Sequence, residues 1–199
     1  MPLLRQKVND GGAPDKGPIA MGVAMAGNTT WNATRRMTTW PGNRPRAQNL
    51  WSVLKAIHAN QLRLCSELEA IADSLPDNLD PKACLSIARM TPSLLKQAHD
   101  FEEGSLFALL RERLPDDAEL ADSLERLRYE HWEDESYAEE ISAVLMDWAM
   151  CTSRRSAEAT GYMLRGFFEG LRRHIAFERE HIVPIILGSD TAHSASQTR

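Results

Sequence analysis

From about residue 47 onward, apolar residues recur every three or four positions, a spacing typical of amphipathic α-helices. No run of alternating apolar and polar residues predicts a strand. Polar or proline-containing breaks separate four long helical stretches, at approximately residues 48–74, 92–113, 117–150 and 156–183. The pattern therefore predicts an all-α protein, built as an antiparallel up-down-up-down four-helix bundle.

A shorter helical stretch, Pro81–Met90, comes before the second long helix. A polar residue stands directly before Pro81 and before Pro92, and proline is well tolerated in the first turn of a helix. We therefore expect separate helices to begin at both prolines, with a simple kink at Pro92 as the alternative. Pro184 is expected to end the fourth helix.

The periodic pattern divides the chain into an irregular N-terminal arm at 1–46, the helical bundle at 47–187 and a disordered tail at 188–199. The arm is rich in Gly and Pro and carries seven basic residues against two acidic ones, a net charge of +5. Because the whole chain has a net charge of −5, the remainder carries −10. We expect the arm to fold back on this acidic body or to stay loose. A protein partner for the arm is the alternative, and neither nucleic acid nor a membrane is expected.

No apolar run approaches the roughly 20 residues that span a bilayer, and the first ten residues are too polar for a signal peptide. A cytoplasmic protein is therefore expected. Its three cysteines, Cys65, Cys84 and Cys151, are widely spaced and form no CxxC pair. We expect free, buried thiols rather than a disulfide framework or a thiolate zinc site.

Each long helix has one histidine in the middle of its apolar stripe. These are His58, His99, His131 and His174. In the last three helices a glutamate follows four residues later, as Glu103, Glu135 and Glu178. Residues four apart share a face of a helix, so each pair can present a nitrogen and an oxygen ligand to one point in the core.

A bound metal ion would compensate for burying so many ionisable groups. Imidazole and carboxylate ligands suit iron, manganese or zinc. The seven candidate ligands are more than one ion needs and suit two: His58, His99, Glu103, His131, Glu135, His174 and Glu178. Glu103 and Glu178 are the natural bridging carboxylates.

Parts of this pattern can be explained without a metal site. A single His–Glu pair at this spacing is more often a surface pair on a helix. On the third helix, Asp134 could replace Glu135, or neither could bind. His181, one turn beyond the cluster, is expected at the edge of the core, and His193 in the solvated tail.

Two segments carry a family resemblance. The stretch from His99 to Phe107, with a histidine, a Glu-Glu pair and then Leu-Phe, resembles the second-helix signature of the hemerythrin-like, or HHE cation-binding, family. The stretch His174–Glu178, with Pro184 six residues on, resembles its fourth-helix signature. The resemblance covers about residues 50–187. His58 and His131 fall where the family places its first- and third-helix histidines.

This resemblance implies a bundle with two iron ions joined by an oxo or hydroxo bridge, manganese or zinc being less expected. The implied ligands are His58, His99, Glu103, His131, His174 and Glu178, with Glu135 possible. Oxygen-carrying hemerythrins have a histidine in place of Glu135 and an aspartate in place of Glu178. The site here is richer in carboxylates, which stabilise the ferric state and disfavour reversible oxygen carriage.

We therefore expect a non-haem di-iron protein that senses or handles oxygen, nitric oxide, peroxide or iron, more as a binding protein than as an enzyme. One alternative is a di-iron oxidase or peroxidase. The other is a metal-free helical interaction module in which His99 or His131 serves as a phosphotransfer histidine, a role that requires an exposed imidazole.

Overall fold

The computed structural model describes residues 44–188, and this part of the chain contains helices and no strand. The all-α prediction is thereby confirmed. The predicted irregular arm, up to residue 43, and the predicted tail, from residue 189, lie outside the described residues. None of the helices in residues 44–188 combines the length and the apolar character that a membrane span requires.

The described helices occur in the following order: α1, Arg44–Ser74; α2, Pro81–Phe101; a π-helical segment, Glu102–Leu106; α3, Phe107–Arg113; α4, Ala118–Ala149; α5, Ala157–Phe177; a second π-helical segment, Glu178–Ile182; and α6, Val183–Leu187. Each π segment continues directly from the helix before it. α1 packs mainly against α5, and α2 mainly against α4.

Side-chain caps explain where three of the helices begin. The side chains of Asp80, Asp117 and Ser156 accept hydrogen bonds from the backbone N–H groups of the first turns of α2, α4 and α5. Such a cap satisfies one of the N–H groups that a helix start leaves unpaired. These residues flank the breaks that the sequence predicts.

The predicted break at Pro92 is wrong, because α2 passes through this proline without interruption. The alternative, a helix that continues through Pro92, is the one found. An internal proline costs about 3 kcal/mol because it removes one helical hydrogen bond. Buried residues on both sides of it, including Ile87, Thr91 and Leu95, hold the two halves against the core and offset this cost.

The helical structure also continues past Pro184, where an end was predicted. Pro184 is the second residue of α6, which follows the second π segment without a break. Gly188 ends α6 in the left-handed conformation, with a φ of 64° that glycine adopts without strain.

The core lies between the four long helices and contains mainly leucine, isoleucine and alanine, with two phenylalanines. Cys65 and Cys84 are buried in it, and burial raises the pKa of each thiol to about 11. Both are free thiols, as expected. The expectation that Cys151 is buried is wrong: it lies exposed in the turn after α4, with a φ of 56°.

Removing the cap of α5 should destabilise the bundle measurably. The Ser156 hydroxyl accepts a hydrogen bond from Ala159 N at 3.1 Å. We expect Ser156→Ala to lower the free energy of unfolding by about 1 kcal/mol and the melting temperature by roughly 2–4 °C. Thermal unfolding followed by circular dichroism measures this. Ser136→Ala, at an exposed position inside α4, should stay within about 0.5 kcal/mol of wild type.

Candidate metal centre

All four stripe histidines are buried in the middle of the bundle, as their positions predict. His58 on α1, His99 on α2, His131 on α4 and His174 on α5 are at most 4% exposed. The rings of His99 and His131 stack with their centroids 4.1 Å apart, and the His174 ring lies 5.4 Å from that of His131. One imidazole from each long helix is therefore buried in the core.

Two buried glutamates complete the centre, and each is the first residue of a π segment. These are Glu102, directly after α2, and Glu178, directly after α5. A π turn holds one residue more than the hydrogen-bonded turn of an α-helix, and such turns are frequent at functional sites. Both irregular stretches thus coincide with the carboxylates of the centre.

The two glutamates contact histidines from different helices. Glu178 Oε2 lies 2.7 Å from His58 Nε2 and 3.8 Å from His174 Nε2. Glu102 Oε2 lies 3.1 Å from His131 Nε2 and 3.8 Å from His174 Nε2. His174 is therefore placed between the two carboxylates, and the centre joins α1, α4 and α5 to the first π segment.

Three of these residues satisfy the geometry of a metal site. Glu102, His131 and His174 each offer one ligand atom, and the three atoms lie within 4.8 Å of one another. The Nε2 atoms of His131 and His174 and both carboxylate oxygens of Glu102 are buried and make no hydrogen bond within residues 44–188. The 3.1 Å contact between Glu102 and His131 thus lacks the angles of a hydrogen bond.

Unpaired polar atoms in a protein core are costly, each by about 1–3 kcal/mol or more for a charged group. A cation bound by these nitrogen and oxygen atoms removes that cost. The set contains imidazole and carboxylate ligands and no thiolate, a combination that iron, manganese and zinc accept. The residues present therefore fit a metal ion.

Two of the predicted ligands, Glu103 and Glu135, lie on the outer side of the histidines. Glu103 Oε1 accepts a hydrogen bond from His131 Nδ1 at 2.9 Å, and Glu135 Oε1 accepts one from His99 Nδ1 at 3.0 Å. Their side chains are 30% and 35% exposed. Carboxylates in this position orient a histidine and direct its other nitrogen towards a metal. His99 Nε2 is indeed buried and has no hydrogen-bond partner among the described residues.

Asp134, the alternative to Glu135 on α4, faces a different histidine. Its negative charge contributes to raising the pKa of His174, whereas Glu135 contacts His99. Burial raises the pKa of Asp134, although the imidazoles of His174 and His131 oppose this effect. Asp134 thus acts electrostatically on His174, which lies between the two buried carboxylates.

The charges within the cluster shift the pKa values strongly. Burial alone would lower the pKa of His174, but Glu102, Glu178 and Asp134 outweigh it and raise the pKa to about 10. Burial raises the pKa of Glu102, but His131 and His174 bring it down to about 2. Burial and the neighbouring imidazoles lower the pKa of His99 to about 3. Without a metal, the cluster therefore holds charge as imidazolium–carboxylate contacts.

Sequence reasoning missed Glu102 and Gln61. Positions three and four after His99 both lie near its face of the helix, so spacing alone did not separate Glu102 from Glu103. The two consecutive glutamates were the only sign in the sequence that Glu102, rather than Glu103, could face the core. Gln61, three residues after His58, is fully buried although it is polar. His181 is half-buried against the Phe177 ring, and His193 lies outside the described residues.

A comparison with protein-family models finds a match to the hemerythrin HHE cation-binding domain over residues 49–186. The matched region contains α1 from residue 49 onward, the other three long helices and both π segments. No curated protein and no solved structure matches the chain closely enough to count as a relative.

The inner and outer glutamates should differ in their effect on metal affinity. We expect Glu102→Ala to weaken metal binding by more than about 100-fold, because it removes an inward-facing carboxylate. Glu103→Ala should weaken it by only about 10- to 100-fold, because His131 keeps its Nε2 but loses its orienting partner. Competition with a chromogenic chelator measures both affinities.

Glu139→Ala, on an exposed position of α4, is the matched surface control and should bind metal like the wild type. An equal loss of affinity in the Glu102 and Glu103 variants would contradict the division into inner and outer carboxylates.

Metal binding should release protons at neutral pH. With its pKa raised to about 10 in the metal-free cluster, His174 carries a proton at pH 7.5 and must lose it before Nε2 binds a metal. Affinity should therefore rise with pH. Calorimetric titration with Zn²⁺ in two buffers of different ionisation enthalpy should reveal release of about one proton or more. Identical heats in the two buffers would contradict this expectation.

Proposed function

Because the chain belongs to the hemerythrin family of HHE cation-binding domains, we propose that it binds two iron ions and uses them to sense or handle oxygen, nitric oxide, peroxide or iron itself. The observation that carries the proposal is the set of buried, unpaired ligand atoms in the middle of the bundle. Manganese and zinc are the less expected ions.

We assign the ligands from the contacts of this chain. Glu102, His131 and His174 would hold one ion, since their ligand atoms already converge. His58 and Glu178, which are in contact at 2.7 Å, would hold the second. Glu102 and Glu178 are the candidate bridging carboxylates, since each lies close to His174 as well as to another histidine.

Three further residues surround this core. His99 offers an inward-facing Nε2, while Glu135 contacts its other nitrogen. Glu103, chosen from the sequence as a ligand, supports the proposal in a different role, as the carboxylate that orients His131. The sequence-based ligand roles of Glu103 and Glu135 remain predictions.

Iron held by such ligands supplies redox chemistry with small oxygen- or nitrogen-containing molecules. The carboxylate-rich surroundings favour the ferric state, which supports sensing or iron handling over reversible oxygen carriage. The centre is also shielded from bulk water, since Leu106 and Phe107 are almost fully buried and the Phe107 ring stacks near His131.

The contrasting hypothesis of a metal-free phosphotransfer module finds no support in the geometry. A phosphate-accepting histidine must meet a partner protein, whereas His99 and His131 are each 1% exposed. Cytoplasmic localisation, a partner for the N-terminal arm and the domain boundaries at residues 46 and 187 remain proposals from the sequence.

We also propose the up-down-up-down antiparallel arrangement that is expected for this family. Contacts between α1 and α5 support it, because Glu69 pairs with Arg172 and Asp73, four residues further along α1, pairs with Arg165. Contacts between α2 and α4 follow the same trend, from Cys84 with Leu145 to His99 with Glu135. In both pairs of helices, residue numbers rise on one helix as they fall on the other.

The test is the metal content and optical spectrum of the full chain, purified without a chelator or a histidine tag. We expect about two irons per chain and near-ultraviolet absorption that bleaches on reduction. The His174→Ala variant should lose most of this iron, whereas His181→Ala should retain it, because His181 lies outside the cluster. A folded protein that stays colourless and metal-free after anaerobic loading with ferrous iron would refute the proposal.

A further inference from the structure

Gln61 is a fully buried amide in the middle of α1, and its surroundings within the described residues leave it unsatisfied. The side chain is 0% exposed, and neither its oxygen nor its nitrogen has a hydrogen-bond partner within residues 44–188. A leucine at this position would bury apolar surface without that cost. A glutamine is favourable here only if its amide has a partner that is not part of residues 44–188.

Gln61 lies next to His58, one of the proposed iron ligands. The two residues are three apart on α1 and share a buried face. Side chains on an α-helix lean towards its N-terminus, which favours a Gln61 amide that lies over the turn that holds His58. His58 Nε2 contacts Glu178, while its Nδ1 is buried and also lacks a hydrogen-bond partner among the described residues. One turn of α1 thus presents three unsatisfied polar atoms.

Contacts with the opposite helix place this turn beside the metal centre. His58 contacts Glu178, and seven residues later the Cys65 thiol donates to the Phe168 carbonyl. Gln61 lies between these two contact points on α1. His174 lies between them on α5. Gln61 is therefore at the level of His174, on the buried side of α1.

We propose that Gln61 is the residue that positions a small ligand at the metal centre. In the resting protein its amide binds a water molecule beside the metal centre, and an incoming small ligand that accepts a hydrogen bond takes that place. A buried water needs two to four polar partners, and an amide offers donors and an acceptor on one side chain. The part of the inference that concerns the incoming ligand rests on the proposed function, whereas the part that concerns the water does not.

The ligand part is tested with azide on iron-loaded protein. Gln61→Met keeps the length of the side chain and removes the amide, and methionine is well tolerated in cores. We expect unchanged iron content and azide binding at least about tenfold weaker than in the wild type, because a hydrogen bond to the anion is lost. Optical titration gives the affinity, and Gln61→Leu provides a second apolar variant should the methionine variant fold poorly.

Gln48→Leu is the matched control, since Gln48 lies on the same helix and is exposed. It should bind azide like the wild type. Equal azide affinity in the wild type and the Gln61 variants, or no azide binding by iron-loaded wild type, would overturn the inference while the iron proposal stands.

The water part is tested on metal-free protein, so its result does not depend on iron binding. In protein labelled with ¹⁵N-glutamine, the side-chain amide signal that disappears in Gln61→Met belongs to Gln61. We expect this signal to show a nuclear Overhauser effect to a long-lived water. An amide that is protected from exchange and shows no such effect would overturn the proposed water.

Discussion

The centre of this bundle depends on the compensation of two carboxylates that are buried away from bulk solvent. Glu102 and Glu178 are each at most 1% exposed, and a carboxylate in such a position is strongly destabilising unless a positive charge lies close by. In the metal-free chain the charge comes from imidazolium groups, as the pKa of about 10 for His174 indicates. Metal ions would supply the same charge without protons. The cluster can thus alternate between protons and metal as its counter-charge.

Because the cluster is buried, the replacement of its protons by metal ions affects the stability of the whole bundle. Each long helix contributes one histidine, so the charge balance of the cluster acts on α1, α2, α4 and α5 together. A ligand that binds only the folded chain adds its binding free energy to the stability of the bundle. Metal occupancy and helix packing are therefore linked, and this link offers a route by which a change at the centre reaches the surface.

The sequence predicted the histidines of the site better than its carboxylates. A histidine in the middle of an apolar stripe faces the core whichever residue ends the helix, so His58, His99, His131 and His174 followed directly from periodicity. Glu102 did not, because positions three and four after His99 are both near its face, and the π segment that begins at Glu102 leaves no mark in the hydrophobic pattern. Pro92 was misjudged for a related reason: local propensity favours a break, but burial on both sides of the proline outweighs it.

Both π segments are followed directly by short helices, α3 and α6. α3 and α6 are in contact, and the Arg113 guanidinium donates a hydrogen bond to the Ile185 carbonyl between them. Both helices have buried apolar residues, and the Phe107 ring of α3 stacks near His131. Burial of Phe107 beside His131 raises the cost of leaving the ligand atoms unpaired and limits the access of bulk water to a bound ion. Each irregular turn that brings a glutamate inward thus leads directly into a short helix with a buried apolar side, and at Glu102 this helix packs against the cluster through Phe107.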